Sequence, residues 1–465
     1  MLTASGLDER PEFESSVAFR VTCLLLLLWW LAYFYPVLPL EDIQRTLSEA
    51  SEATAAGSMY NQAVIFGFAF LGLAWMPYAA GLLRTRRSQA LVLLLALYCC
   101  WSIASVYWSE DRSLSIRRLI SFFCVLTGSV GLGAGFYARP RDGVLTLARH
   151  VFIATLAAVF LLIASRLSHS SLAELLDPRW SLKESTRISA WTYPAGYAAV
   201  ASLFLFQGRN ILRFAAVAFF IFVMVVLKGR TMLGDAVASV LLVYSRIAEY
   251  APVRAACLAS GSALTLILTD LLTGGHVFLA GFFAVYDAVA GWLPYFSIGD
   301  GVRNITTLSG RVPLWQAIYT FILHRPLAGH GFGAFWTPTR FEEIFAAAGW
   351  RATVAHNGFL DELLATGIVG LACFLAFWLF GMYAALRQAR ESGGPFAPGY
   401  LVFGWLFLFL LFNGMDSILQ TFFQFPTFAS LLGLFALVNT PQPERNPAEI
   451  EQLFSEPFYL EEVVS

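Results

Sequence analysis

Residues 358–386 read GFLDELLATGIVGLACFLAFWLFGMYAAL, an apolar run whose only charges, Asp361 and Glu362, fall in its first turn. About 20 apolar residues cross the ~30 Å hydrocarbon core of a bilayer as a helix. Helix is the conformer such a run must take, because each backbone amide has to be satisfied within its own segment. Outward from this stretch, comparable runs recur at 18–40, 59–83, 88–106, 119–137, 144–165, 189–207, 211–227, 231–249, 255–272, 399–414 and 420–438. The reading is an all-α, polytopic integral membrane protein with about twelve transmembrane helices.

Composition agrees. Of 465 residues, 58% are apolar and 13% charged, about half the charged share of a soluble domain. Thirty basic and 31 acidic side chains cannot cover a water-exposed surface of this size. A soluble enzyme, a disordered tail and a disulfide-stapled secreted domain are excluded. The net charge of −1 offers no electrostatic reason to bind nucleic acid. The six cysteines lie within apolar runs without C-x-x-C pairing and read as small core residues. The first 17 residues are polar and acidic, and the run after them is too long for a signal-peptide core, so it reads as a first span.

An even number of spans places both termini on one side. The short loops sharing that side carry Arg84, Arg86, Arg87, Arg139, Arg141, Arg209, Arg213, Arg246, Arg254, Arg387 and Arg390. By the positive-inside rule that side is cytoplasmic. The expected organisation is a cytoplasmic tail (1–17), nine spans (18–272), a large outer loop (273–357), three spans (358–438) and a second cytoplasmic tail (439–465). Amphipathic stretches at 277–296, 312–325 and 340–349 predict short helices in that loop, lying on the membrane or capping the bundle. No internal repeat is visible, which weighs against an inverted-repeat transporter.

The chemistry-bearing residues cluster in the outer loop. Ser309-Gly310-Arg311 followed by Pro313 predicts a helix start, with Arg311 and Trp315 one turn apart on one face. An arginine at a helix N-terminus is unfavourable against the dipole unless an anion shares the site; the alternative is an interfacial Arg–Trp pair. Gly329-x-Gly331-x-Gly333 lacks a preceding strand and the spacing of a nucleotide loop, so it reads as a tight turn, with His330 incidental. His356-Asn357 precedes the run at 358. A histidine there suits proton removal from a hydroxyl near neutral pH; the alternative is an interfacial histidine with Asn357 as helix N-cap.

Arginines also mark the outer ends of other spans: Arg230 in Lys228-Gly-Arg230-Thr, Arg187 before Ile188, and Arg117-Arg118 before Leu119. Several arginines on the side that should be poor in them predict a focused positive patch. A lipid diphosphate fits it, because guanidinium forks match phosphate oxygens and stay charged in low dielectric. The acidic pairs Glu342-Glu343 and Asp361-Glu362 diverge by ~100° on a helix and make no preformed metal site, and no cofactor motif occurs.

Together, Ser309-Gly310-Arg311-x3-Trp315, Pro326-x2-Gly329-x-Gly331-x-Gly333 and His356-Asn357-x2-Leu360-x2-Leu363-x3-Gly367-x2-Gly370 resemble the O-antigen ligase/polymerase superfamily. The segment Tyr107-Trp108-Ser109-Glu-Asp-Arg-Ser-Leu-Ser-Ile-Arg117-Arg118 looks like its exopolysaccharide-polymerase branch. The resemblance implies a multi-pass protein of the bacterial inner membrane with its active site facing the periplasm. It implies metal-independent, cofactor-free transfer of a glycan from a polyprenyl (undecaprenyl) diphosphate carrier to an acceptor hydroxyl on a glycan or lipid, alongside other polysaccharide-assembly proteins. It implies His356 as base and Arg311 and Arg230 as diphosphate ligands; Arg187, Arg118, Asn357 and Trp315 are expected substrate contacts. Polymerase is preferred over a ligase to lipid A–core or a protein O-oligosaccharyltransferase. A lipid-linked sugar transporter is the rival from another class; it calls for charge at mid-span, for which Asp235 and Asp270 are the candidates.

Overall fold

The structure, a computed structural model, describes residues 17–34, 59–136, 142–167, 185–226, 230–247, 311–349, 352–417 and 425–438. Among these residues helix is the only regular structure. The first eight helices are α1 (Val17–Phe34), α2 (Met59–Leu73), α3 (Arg86–Ala104), α4 (Arg112–Phe136), α5 (Asp142–Leu167), α6 (Ser185–Leu205), α7 (Asn210–Val226) and α8 (Arg230–Ile247). Then come α9 (Arg311–His324), α10 (Pro338–Ala348), α11 (Gly358–Ser392), α12 (Pro398–Met415) and α13 (Phe425–Val438). Helices occupy eleven of the twelve apolar runs; the run at 255–272, both tails beyond Val17 and Val438, and loop residues 273–310 lie outside the described residues. Four helical segments are long and apolar enough to cross a membrane: α3, α4, Gly143–Leu161 within α5, and α11. Shorter apolar helices make up α1, α2, α7, α8, α12 and α13. The run at 59–83 is not one helix: α2 ends at Leu73 and a 3-10 helix covers Met76–Leu83.

Large apolar side chains stay exposed on helix exteriors, among them Leu28, Phe70, Phe160 and Phe222. A hydrocarbon solvent tolerates that surface and water does not. Because lipid leaves little hydrophobic drive between helices, close approach must come from small residues. Gly72 and Gly131 supply it between α2 and α4: a Cβ on Gly131 would lie 1.9 Å from the Gly72 carbonyl oxygen. The interior is aromatic, with Trp29 and Phe68 packed on Phe428 of α13. The Tyr197 hydroxyl bonds Ser430 at 2.6 Å and so ties α6 to α13.

The expected straight helix over 358–386 is broken. Gly367 has φ 68° and ψ −170°, a conformation open to glycine alone. The Pro326–Gly331 turn docks its backbone into the gap. His330 N–H bonds Leu364 O at 2.7 Å, Gly331 N–H bonds Ala365 O at 2.9 Å, and Ile368 N–H bonds Pro326 O at 2.9 Å. Indole N–H groups take the neighbouring carbonyls: Trp101 bonds Thr366 O at 2.8 Å and Trp108 bonds Ala328 O at 2.9 Å. The backbone groups freed by the break are thus satisfied inside the protein, which a helix at membrane depth requires. Gly329 completes the fit, with φ 65° and a Cβ position 2.6 Å from the Ala365 backbone. The glycine motif is therefore a backbone latch holding the segment after α9 against α11.

A second, smaller core joins α9, α10 and the start of α11. Leu314, Trp315 and Ile318 of α9, Phe335, Ile344 of α10, Ala355, and Leu360 and Leu364 of α11 pack together. Two of the amphipathic stretches read from the sequence are these helices, α9 and α10. Thr337 caps α10 with Pro338 next to it, and Gly349 in the left-handed region ends it.

Candidate functional site

The site forms where α11 begins. Asn357 is the N-cap: its Oδ1 accepts from Phe359 N–H at 3.0 Å and Leu360 N–H at 3.1 Å. Its Nδ2 donates to Gly414 O at 2.9 Å, which fastens the start of α11 to the end of α12. Both ends of the Asn357 amide are thus engaged in structure. Gly358 N–H bonds Asp416 O at 3.0 Å and strengthens the same junction.

His356, immediately before the cap, has φ 51° and is the only non-glycine residue with positive φ among those described. Such a conformation costs on the order of 1–3 kcal/mol and persists where its surroundings over-determine it. They do so on both sides. Ala355 N–H bonds both carboxylate oxygens of Asp361 at 3.2 Å, and the Trp315 indole donates to Ala355 O at 2.8 Å. On the other flank, Asn357 N–H bonds the Ser417 hydroxyl at 3.2 Å. Asp361 also receives the Trp336 indole at 2.7 Å. Trp315 is 3% exposed, so it acts on the site by holding the backbone beside His356. Glu362 turns away to Tyr98 and Thr366, the divergence expected of adjacent helical residues.

The strained backbone aims the His356 ring at Asp416, with Nδ1 3.6 Å from Oδ1. That is an ion-pair distance, longer than a hydrogen bond, and contacts of this kind tighten when substrate closes a site. The Tyr193 hydroxyl of α6 donates to the other oxygen, Oδ2, and Ser417 N–H bonds Oδ1 at 2.8 Å. Burial by itself would raise the Asp416 carboxyl; His356, Tyr193 and the Ser417 amide outweigh it and hold the group below the ordinary carboxylate range. Arg311, the first residue of α9, shares this environment. Burial draws its guanidinium below the usual arginine value, while the nearby Asp416 carboxylate and Tyr193 act in the opposite direction.

The structure thus brings Arg311 and His356 together and adds Asp416 and Tyr193, which the sequence reading missed. Asp416 had a signal: it is the only acidic residue in the 415–424 connection between two apolar runs. Tyr193 had none beyond the adjacent Pro194. Arg118 packs its aliphatic stem on Gly333 of the latch.

The side chains of Arg187 and Arg230 lie outside the described residues, but their helices are placed. Ala236 of α8 faces Gly196 of α6. Counting back at 1.5 Å per residue, Arg230 begins α8 about 9 Å beyond that level, on the side where Tyr193 meets Asp416. Arg187 lies in the first turn of α6, at the same end. Three helices, α6, α8 and α9, therefore start with an arginine in their first turn at one end of the bundle. Helix N-termini carry partial positive charge and unpaired N–H groups, which attract an anion.

No protein-family model and no curated protein matches this chain. A histidine backed by a carboxylate and opened toward a cationic end of the bundle can take a proton while a neighbouring negative charge develops. An unpaired histidine at the interface would need neither the strained backbone nor the Asp416 contact.

Proposed function

We propose that this protein is a glycosyltransferase that moves a glycan from a polyprenyl diphosphate carrier to an acceptor hydroxyl at the periplasmic face of the bacterial inner membrane. The observation that carries the proposal is the left-handed His356, held against Asp416 beside Arg311, at the end where α6 and α8 also begin with arginines. With Nδ1 facing Asp416, His356 removes the acceptor proton. The acceptor oxygen forms its bond to the anomeric carbon as the bond from that carbon to the diphosphate oxygen breaks. Arg311, Arg230 and Arg187 stabilise the departing charge, and a sugar diphosphate is activated enough for positioning and electrostatics to suffice. Asp416 orients the ring and stabilises the imidazolium that forms, the part a carboxylate plays behind other histidine bases.

The twelve-span topology and the outer loop at 273–357 belong to this proposal, since they put the site where a lipid donor enters sideways between helices and a glycan arrives from water. The 107–118 segment favours a polymerase, whose acceptor is another lipid-linked repeat unit. In washed membranes given lipid-linked donor, His356→Ala should lower turnover by about 10²–10⁴-fold with donor binding retained. Asp416→Asn should lower it by at least tenfold, and EDTA should leave wild-type turnover unchanged. Full transfer by His356→Ala would remove the proposal. In a deletion strain, accumulated single repeat units identify a polymerase, and finished polymer left on the carrier identifies a ligase.

A further inference from the structure

Away from His356, the segment that resembles the polymerase branch forms one wall of an open cleft of about 680 Å³. Glu110, Asp111 and Arg112 stand on that wall; Thr339, Arg340 and Glu343 of α10 stand opposite. The cleft floor is rigid. Glu110 receives Arg340 Nη2 at 3.0 Å, and its Oε1 lies 2.8 Å from Nδ1 of His330, which is buried behind it. The other nitrogen of His330 lies 3.0 Å from Phe321 O. Both ring nitrogens of His330 are thus engaged, one by a carboxylate and one by a carbonyl. The residue that read as incidental fixes the cleft wall to the glycine latch.

The three carboxylates lining the cleft, Glu110, Asp111 and Glu343, face two guanidinium groups, Arg112 and Arg340, so the cleft carries little net charge. A balanced cleft has little selectivity for a free anion or a metal cation, in contrast to the arginine-lined end near Arg311. It does offer donors and acceptors interleaved at short range, which is what a polyhydroxylated, neutral ligand needs. At its edge the Tyr107 ring is 81% exposed and carries the Arg112 guanidinium 5.9 Å from its centroid. An open aromatic face beside a hydroxyl-binding cleft fits the C–H face of a sugar ring.

We propose that this cleft binds the acceptor glycan, several sugar units from the hydroxyl that reacts. The spacing suits that arrangement. Arg340 packs on the Phe321 ring at 4.7 Å, and Phe321 lies ten residues, about 15 Å of helix, along α9 from Arg311. The inference rests on glycosyl transfer at His356 and specifies where the second substrate is held.

The test uses the purified full-length protein in nanodiscs. The probe is a water-soluble oligosaccharide of one to three repeats released from the host's own surface polysaccharide, with binding read by titration calorimetry. Wild type should bind saturably, and inorganic phosphate or Mg²⁺ should not displace the probe. Tyr107→Ala should weaken binding on the order of three- to tenfold, and Glu343→Gln should weaken it measurably. Both side chains are exposed, so neither change should disturb folding, which a shared melting midpoint checks. His356→Ala should bind the probe as wild type does. Unchanged binding in both cleft variants, displacement by phosphate or Mg²⁺, or no binding by wild type would overturn the cleft assignment. Retained transfer by His356→Ala, with Tyr107→Ala still losing the probe, would instead remove the catalytic reading and leave a glycan-binding cleft.

Discussion

At the residue scale, two histidines show how partners decide a role. His330 and His356 lie 26 positions apart in one loop region, and each faces a carboxylate. His330 is sealed in, with Glu110 on one ring nitrogen and the Phe321 carbonyl on the other, so its role is structural. His356 is about a third exposed, with Asp416 on Nδ1, and stays within reach of a ligand. The Glu110 partner of His330 gives a pH prediction. Burial would raise the Glu110 carboxyl, but His330 and Arg340 outweigh that and hold it below the ordinary glutamate value. A carboxyl depressed in the folded state contributes stability above its unfolded pKa, about 4.3, and loses it as pH falls through the folded value. Melting midpoints in detergent should therefore drop on acidification below about pH 4.5, and Glu110→Gln should flatten that part of the profile. An unchanged profile in Glu110→Gln would mean that the ion pair makes no difference to folding.

At the element scale, the informative feature is the broken α11. The Pro326-x2-Gly329-x-Gly331 turn and Gly367 are separated by a long stretch of sequence, yet they meet as backbone against backbone. The sequence reading treated the glycines as a turn, which their positive φ angles support, but it had no means of seeing the docking partner. A Cβ on Gly367 would lie 2.3 Å from the Leu327 backbone, in a conformation unfavourable for any other residue. Gly367→Ala should lower stability by at least about 1–3 kcal/mol, read as a lower melting midpoint or loss of folded protein in membranes. A glycine on an open surface, Gly208, offers the comparison: nothing lies within 4 Å of its Cβ position, so alanine there carries only the φ penalty. The same loss at both positions would show that contact with Leu327 does not matter. The cap of α11 was more legible, because Asn357 acts within one turn of chain.

For the whole molecule, the testable property is topology. Twelve spans with both termini inside and residues 273–357 outside predict a labelling pattern. A single cysteine introduced at Thr339 should react with a membrane-impermeant maleimide added to intact spheroplasts. One introduced at Gly393, between α11 and α12, should react only after the membrane is permeabilised. Reaction of both from outside would reverse or dismantle the arrangement and move the His356 site away from a periplasmic donor. Four helical segments are long and apolar enough to cross a membrane, and the exposed apolar exteriors of α1, α2 and α7 agree with a lipid surround.

The sequence by itself determined the class of solvent and the list of suspects. Hydrophobicity is summed residue by residue along the chain, so a run of 20 apolar residues declares a helix in lipid without reference to any partner. Arginines at run ends and the His356-Asn357 pair were visible for the same local reason. Tertiary structure alone decided which suspects meet. Asp416, just past the end of α12, reaches His356, and Tyr193 of α6 reaches Asp416; no local pattern encodes that second contact, between residues 223 positions apart. Structure also turned His330 from an incidental residue into a buried tie between Glu110 and α9, and made the glycines a latch. Side-chain chemistry can be read from the chain, but the distance between two groups comes from how helices pack.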